Sequence, residues 1–285
     1  MLALDTHIST VQSEADSLTQ FLETLSADDW ERPSACKRWT IRAVAAHIVW
    51  ATTYYADAIS RGIKGDDSHL PDRPPGDAPA APPELSDYFY QQAMDTRDQL
   101  GDDLMQVLRS RLQALTNLMA SLSPEQWEVS CAFYKFISST CPAHAFLSLA
   151  IQELAIHGWD IRSRFDKSTT ISEPSLAFLM ERLTARASFL TQPIDIDPQV
   201  LVRYRFNFGA DSALRYDLSI EGGKERMEPA TDSLADVTIY CDRATFVLLL
   251  FDRFRLDSAI SQGRVTIEGD ESLARVLGQS LRPYV

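Results

Sequence analysis

Residues 145–161 (AFLSLAIQELAIHGWDI) are apolar on almost every side, the pattern of a helix buried in a protein interior, yet they carry Glu153 and His157. Residues at i and i+4 lie one above the other on a helix, so both side chains leave the same face. A charged group on such a face is costly unless it is paired or bound to a metal. The fold must bring something to meet these two groups, and Glu153 and His157 read as two ligands of a metal site.

The sequence offers few candidates for a third ligand, since it holds only five histidines. His7 lies near the terminus. His69 lies in a stretch rich in Pro, Asp and Gly. His144 precedes Glu153 by nine residues, which places it on roughly the opposite side of a helix, and Pro142 before it suits a first helical turn. His47 remains, within the largely apolar helical pattern Trp39 to Trp50, where it meets the same burial problem as His157. Two histidines and a glutamate with one open position are the signature of a catalytic zinc site. On spacing alone two simpler readings stay open: a core histidine satisfied by its neighbours, and an i,i+4 hydrogen bond at a surface.

Two motifs carry a family resemblance. Ser34 to Arg42 (SACKRWTIR) followed by Ala46-His47 resembles the C-x-x-W-T-V-R-D…A-H signature of the DinB-like, mycothiol-dependent maleylpyruvate isomerase family. Glu153 to Asp160 (ELAIHGWD) resembles its E-x-x-x-H-G-W-D signature. The resemblance implies that His47, Glu153 and His157 bind a divalent metal, usually zinc. It also implies mycothiol or another low-molecular-weight thiol as co-substrate. Asp236 to Ile239 (DVTI) and Gly263 to Asp270 (GRVTIEGD) are similar to the small sterol-carrier-like domain that often follows the bundle. The fold implied is α+β: a DinB-like four-helix bundle over residues 1–166, then a sterol-carrier-like α+β domain over 167–285. One departure stands out. The family pattern commonly has Asp after the Arg of the first motif, where it would suit the helix dipole, and this chain has Ala43. The chain is also longer than the shortest family members between the second and third helices, beside the expected pocket, which leaves the substrate open.

Charge and composition exclude other classes. A net charge of -13 argues against nucleic-acid and anionic-membrane partners. No apolar run reaches the roughly 18 residues of a membrane span, and the first residues lack the basic start and apolar core of a secretory signal. The cysteines Cys36, Cys131, Cys141 and Cys241 form no C-x-x-C pair and fit reduced thiols in the cytoplasm better than a disulfide framework. Cys36 reads as a small buried residue rather than a reactive thiol.

Periodicity predicts a helix from about Leu4 to Leu25, a second from Ile41 to Ser60 with Thr40 as N-cap, and a third from Glu84 to Ser121 that Gly101 interrupts. A fourth is predicted from Pro142 to Phe165. The Pro/Gly/Asp-rich residues 62–83 form a long loop, read as a partly ordered flap near the site. Ser26-Ala27-Asp28-Asp29-Trp30 and Ser123-Pro124-Glu125-Gln126-Trp127 each follow a helix ending in Leu-Ser, an internal echo. After Asp166 the pattern changes. A helix over Glu173–Thr191 precedes strands at Val200–Phe208, Leu214–Ile220, Asp236–Cys241 and Val265–Glu268. Glu221-Gly222-Gly223-Lys224 is a hairpin turn. Helices at Thr245–Phe251 and Glu271–Ser280 complete a mostly antiparallel α+β domain.

An open metal position can lower the pKa of water to about 7, or hold a thiol as thiolate. The resemblance favours the thiol. A thiolate that adds to a conjugated double bond and leaves after rotation gives cis–trans isomerisation. Departure of another group gives S-transfer. Asp160 shares the face of Glu153 and His157, where it orients a histidine, accepts a proton, or simply makes a hydrogen bond at the helix end. Trp50 and Tyr54, one and two turns after His47, wall the pocket that takes the thiol or are plain core. A small-molecule or lipid carrier, and a hydrolase using metal-bound water, are the alternatives.

Overall fold

The computed structural model describes residues 2–68, 82–133, 140–190, 199–209, 214–222 and 224–280. The chain divides into two compact units, residues 1–170 and 171–284.

The first unit is a helical bundle. Helix α1 (Leu2–Glu23) buries one stripe, Val11, Ala15, Leu18 and Leu22, at the three-and-four spacing of an amphipathic helix. The short α2 (Ala27–Trp30) starts where the break after α1 is predicted. A capping box holds it: Ser26 Oγ accepts from Asp29 N, and the Asp29 carboxylate accepts from Ser26 N. Helix α3 (Ile41–Gly62) is the centre of the bundle. Thr40 Oγ1 accepts from Ala43 N at 3.2 Å and caps it, and every residue from Ala43 to Thr52 is buried. Ala43 itself is 1% exposed, so an acidic side chain at this position would lie inside the bundle rather than in solvent. The third predicted helix is split into α4 (Pro82–Leu100) and α5 (Leu104–Ser121) by a turn of 3-10 helix at Gly101–Asp103. Gly101 adopts φ +49°, a conformation open to glycine. Helix α6 (His144–Arg162) packs on α1 and α3. Residues 69–81, most of the expected flap, lie outside the described residues.

Between α5 and α6 runs a small antiparallel pair that periodicity does not reveal, β1 (Ser130–Ala132) and β2 (Thr140–Pro142). Pro142 therefore ends a strand instead of opening α6. Ala143 N donates to Val129 O at 3.1 Å, which puts Pro142 at a non-hydrogen-bonded position, where a missing N–H costs nothing.

The second unit is α+β. Helix α7 (Glu173–Leu190) is followed by strands β3 (Val202–Phe208), β4 (Arg215–Glu221), β5 (Lys224–Pro229) and β6 (Val237–Cys241). Helices α8 (Arg243–Leu250) and α9 (Leu256–Ser261), strand β7 (Val265–Gly269) and helix α10 (Glu271–Ser280) complete it. The sheet order is β5-β4-β3-β6-β7, antiparallel except for the β3–β6 pair. Strand β3 alternates as predicted: Val202, Tyr204, Phe206 and Phe208 are buried, and Phe206 and Phe208 meet Phe246 of α8 at ring distances of 4.7 and 4.9 Å. On the other face Arg205 grips its cross-strand partner Asp217 with two hydrogen bonds, of 2.8 and 2.9 Å. Among the described residues no helix is long and apolar enough to cross a membrane.

Candidate metal centre

Three side chains from two helices meet inside the bundle. His47 leaves the middle of α3, and Glu153 and His157 leave successive turns of α6. Glu153 Oε2 stands 3.1 Å from His47 Nε2 and 3.3 Å from His157 Nε2. The three side chains are 8%, 17% and 12% exposed for His47, Glu153 and His157. A cation bound tetrahedrally at about 2.0–2.2 Å sees its ligand atoms about 3.3–3.5 Å apart; the two separations at Glu153 are close to this, and all three ligand atoms lie within 4.8 Å of one another.

The donor chemistry narrows the reading. His157 Nδ1 lies 2.9 Å from Asp160 Oδ2, and Asp160 is 0% exposed. When that nitrogen donates its hydrogen to the carboxylate, a neutral imidazole turns a bare lone pair toward Glu153 Oε2. Two acceptors then face each other, and either a proton or a cation must stand between them. Without a cation the proton is held tightly. Burial opposes the charge on His157, but Asp160 and then Glu153 outweigh it and push the imidazole up to about 9. Burial likewise opposes the charge on Glu153, yet His47 and His157 hold its carboxyl well below the usual carboxylate range. The other Glu153 oxygen, Oε1, accepts from the Tyr55 hydroxyl at 3.5 Å.

Sequence reasoning singles out Asp160, Trp50 and Tyr54 beside the three candidate ligands. Asp160 is on the far nitrogen of His157, as described. Trp50 lies beside His47, ring centroids 6.1 Å apart and nearly parallel at 22°. Tyr54 stacks on Trp50 at 6.1 Å, and its hydroxyl donates to Ala132 O at 3.3 Å, one step further from the ligands. His144 is exposed and faces Glu128 at 3.4 Å, away from the cluster. Trp159 is 7% exposed and donates from Nε1 to Thr169 O at 3.0 Å.

Several neighbours escaped the sequence reading. Trp39 packs against both imidazoles, edge-on to His47 at 5.0 Å and stacked on His157 at 6.2 Å. Its place is fixed by the loop before α3, where Ser34 N donates to Trp39 O, Ile41 N to Arg32 O, and Ala35 N to Asp160 O at 2.9 Å. Arg38, at φ +71°, reaches α4, pairing with Asp87 and lying 4.4 Å over the Tyr90 ring. Phe89 of α4 closes on His47 at 6.0 Å and on Trp50 at 5.6 Å. Cys36, which the sequence does single out, is half-buried rather than buried as expected, and its sulfur, a His157 nitrogen and an Asp160 oxygen lie within 4.8 Å of one another. Trp39 belongs to the first motif, but nothing in the spacing says that a loop tryptophan returns against two histidines.

Comparisons with known proteins bear on both units. A family model described as "Mycothiol maleylpyruvate isomerase N-terminal domain" matches residues 11–162. One described as "SCP-2 sterol transfer family" matches residues 203–282. No curated protein matches the sequence. Among solved structures, the chain is similar to a crystal structure of the mycothiol-dependent maleylpyruvate isomerase, with a TM-score of 0.61, 14% identity, and coverage of 93% of this chain and 92% of that one. A histidine-to-alanine mutant of that enzyme matches with the same TM-score of 0.61, identity of 14% and coverage of 93% and 92%.

Proposed function

The chain belongs to the mycothiol maleylpyruvate isomerase N-terminal domain family, and from that membership we propose that it is a thiol-dependent isomerase acting on an electrophilic small molecule. We further propose that it is metal-dependent, with His47, Glu153 and His157 holding a divalent cation, zinc by preference, and with mycothiol or a similar low-molecular-weight thiol as co-substrate. The observation that carries this reading is the convergence of three ligand atoms on one point while Asp160 occupies the far nitrogen of His157. Histidine and carboxylate donors of this number fit zinc, and the carboxylate–histidine pair is the support such ligands usually have.

When bound, the cation would supply one thing: a thiol whose ordinary pKa of about 8.5 falls far enough for it to ionise at neutral pH. The protein does the rest. Asp160 keeps His157 in the tautomer that offers Nε2. Tyr55 steadies the second oxygen of Glu153. Trp39, Trp50 and Phe89 surround the histidines with apolar surface, which keeps water away and strengthens every electrostatic contact inside. Trp50 and Tyr54 would wall the thiol's place. Addition of the thiolate to one carbon of a conjugated cis double bond leaves a single bond free to rotate. The electron pair, held meanwhile on the conjugated carbonyl, returns to restore the double bond as trans and expels the same thiolate, ready for another round. With a substrate that carries a leaving group, the same geometry gives S-transfer.

The test is to incubate the full chain with mycothiol and either maleylpyruvate or an electrophile bearing a leaving group. Isomerisation with the thiol unconsumed supports the isomerase. Accelerated thiol consumption supports S-transfer. Silence in both overturns the enzymatic reading. The match of residues 203–282 to the SCP-2 sterol transfer family favours a second reading for that outcome, a carrier of an apolar small molecule, which a fluorescent fatty-acid displacement assay would detect.

A further inference from the structure

The cysteines are far apart in sequence, but the fold puts two of them face to face. Strands β1 and β2 run antiparallel with Cys131 directly opposite Cys141, and both are free thiols. Cys131 is fully buried and Cys141 is half-buried. The hydrogen bond from Ala143 N to Val129 O makes 129/143 a hydrogen-bonded pair, and such pairs alternate along an antiparallel ladder, so Cys131/Cys141 is one too. In such a pair the Cα atoms stand about 5.5 Å apart, within the span of a disulfide. The Cβ atoms stand further apart than the roughly 3.8 Å that a relaxed disulfide prefers. A bond can therefore close here, but under strain, and strained disulfides are the readily reduced ones that act as labile or regulatory links.

We propose that Cys131 and Cys141 form a reversible dithiol–disulfide site that exchanges with low-molecular-weight disulfides. This rests on the hairpin register and is independent of the reaction proposed at the histidine cluster. The accessible Cys141 loses its proton to solvent, and its thiolate attacks one sulfur of the small disulfide. The small S–S bond breaks, and one small thiolate leaves and takes up a proton. Cys131, deprotonated in turn, attacks the Cys141 sulfur of the mixed disulfide and expels the second small thiol. Two protein thiols are oxidised by two electrons, and one small disulfide is reduced to two thiols.

The surroundings set the rate and the consequence. Burial pushes Cys131 up to about 11, with Asp67 adding to the effect, and pushes Cys141 up to about 12, with Cys131 adding to it. Exchange is slow at neutral pH and quickens as pH rises, because the thiolate is the nucleophile. The hairpin is tied to α3. A Cβ on Gly62 would stand 2.6 Å from Cys131 Sγ and 2.7 Å from Ser130 O, and Tyr54 donates to Ala132 O. Any shift of β1 on oxidation is therefore felt by the helix that carries His47.

The experiment uses the reduced full chain and oxidised glutathione at about pH 7 and about pH 9, followed by alkylation of remaining thiols and peptide mass mapping. The expected result is a Cys131–Cys141 link with Cys36 outside it, formed at least about tenfold faster at the higher pH and reversed by excess reduced glutathione. In Cys131→Ser the mixed disulfide should persist at Cys141. The wild-type map needs no variant and decides by itself. A chain that yields only mixed adducts, that yields no link at either pH, or whose link resists excess dithiothreitol in the folded state overturns the proposal.

Discussion

His157 is caught between two carboxylates, Asp160 at 2.9 Å and Glu153 at 3.3 Å, and its protonation decides what the cluster does. Its folded pKa is raised to about 9 from an ordinary 6.5, so in metal-free protein the pair stabilises the fold fully below about pH 6.5. That stabilisation is lost as pH rises through about 9. Glu153 works the other way: its pKa is depressed, so its contribution is present above the ordinary carboxylate range and lost in acid. Metal binding requires the His157 proton to leave, so affinity should rise across the window in which metal-free stability falls. Denaturation and metal titration of chelator-treated protein between about pH 6.5 and 9 check this, and parallel slopes would count against it. Asp160→Asn should keep the fold while lowering metal affinity by about 10–100-fold, the usual loss when a ligand's hydrogen-bond partner is changed. Isothermal titration with zinc reads it.

The elements differ in how openly the sequence declares them. Helix α3 and helix α6 are legible because their apolar runs are long and their polar exceptions, His47, Glu153 and His157, are few. The i,i+4 spacing puts two of the proposed ligands on one face, and elimination among five histidines leaves His47 as the candidate third. The break at Gly101 is legible because glycine alone takes that φ cheaply. The β1–β2 pair is hidden because strands of three residues carry no period, and Pro142 reads equally well as a helix start. Trp39 is hidden for a different reason: its position depends on a loop hydrogen-bonded to Asp160 O at the end of α6, a contact between distant segments. Helix α3 also depends on a contact that sequence does not show. Gly62→Ala drives a methyl into the Ser130 carbonyl as well as Cys131 Sγ, and backbone cannot step aside as a side-chain tip can. The substitution should destabilise the bundle by about 1–3 kcal/mol, the usual cost of overpacking, measured by urea unfolding. An unchanged midpoint would mean that the hairpin moves freely.

At the scale of the whole chain, the bundle and the α+β unit have separate means of support. The bundle closes around polar groups that need a proton or a cation, whereas the second unit buries Phe206, Phe208 and Phe246 around its sheet and holds Asp217, 2% exposed, with Arg205. Metal removal should therefore lower the thermal stability of the first unit and leave the second close to unchanged, which calorimetry with and without chelator resolves. Asp217→Asn should do the reverse. It removes the charge that faces Arg205, which keeps its hydrogen bonds to Thr231 O and Ser233 O, and should destabilise the second unit by about 1–3 kcal/mol while metal content stays the same. The most direct measurement is elemental analysis of full chain purified without chelator. The proposed centre predicts about one divalent ion per chain in the wild type and almost none in His47→Ala or His157→Ala. An ion-free wild type, or either variant at full occupancy, would contradict it.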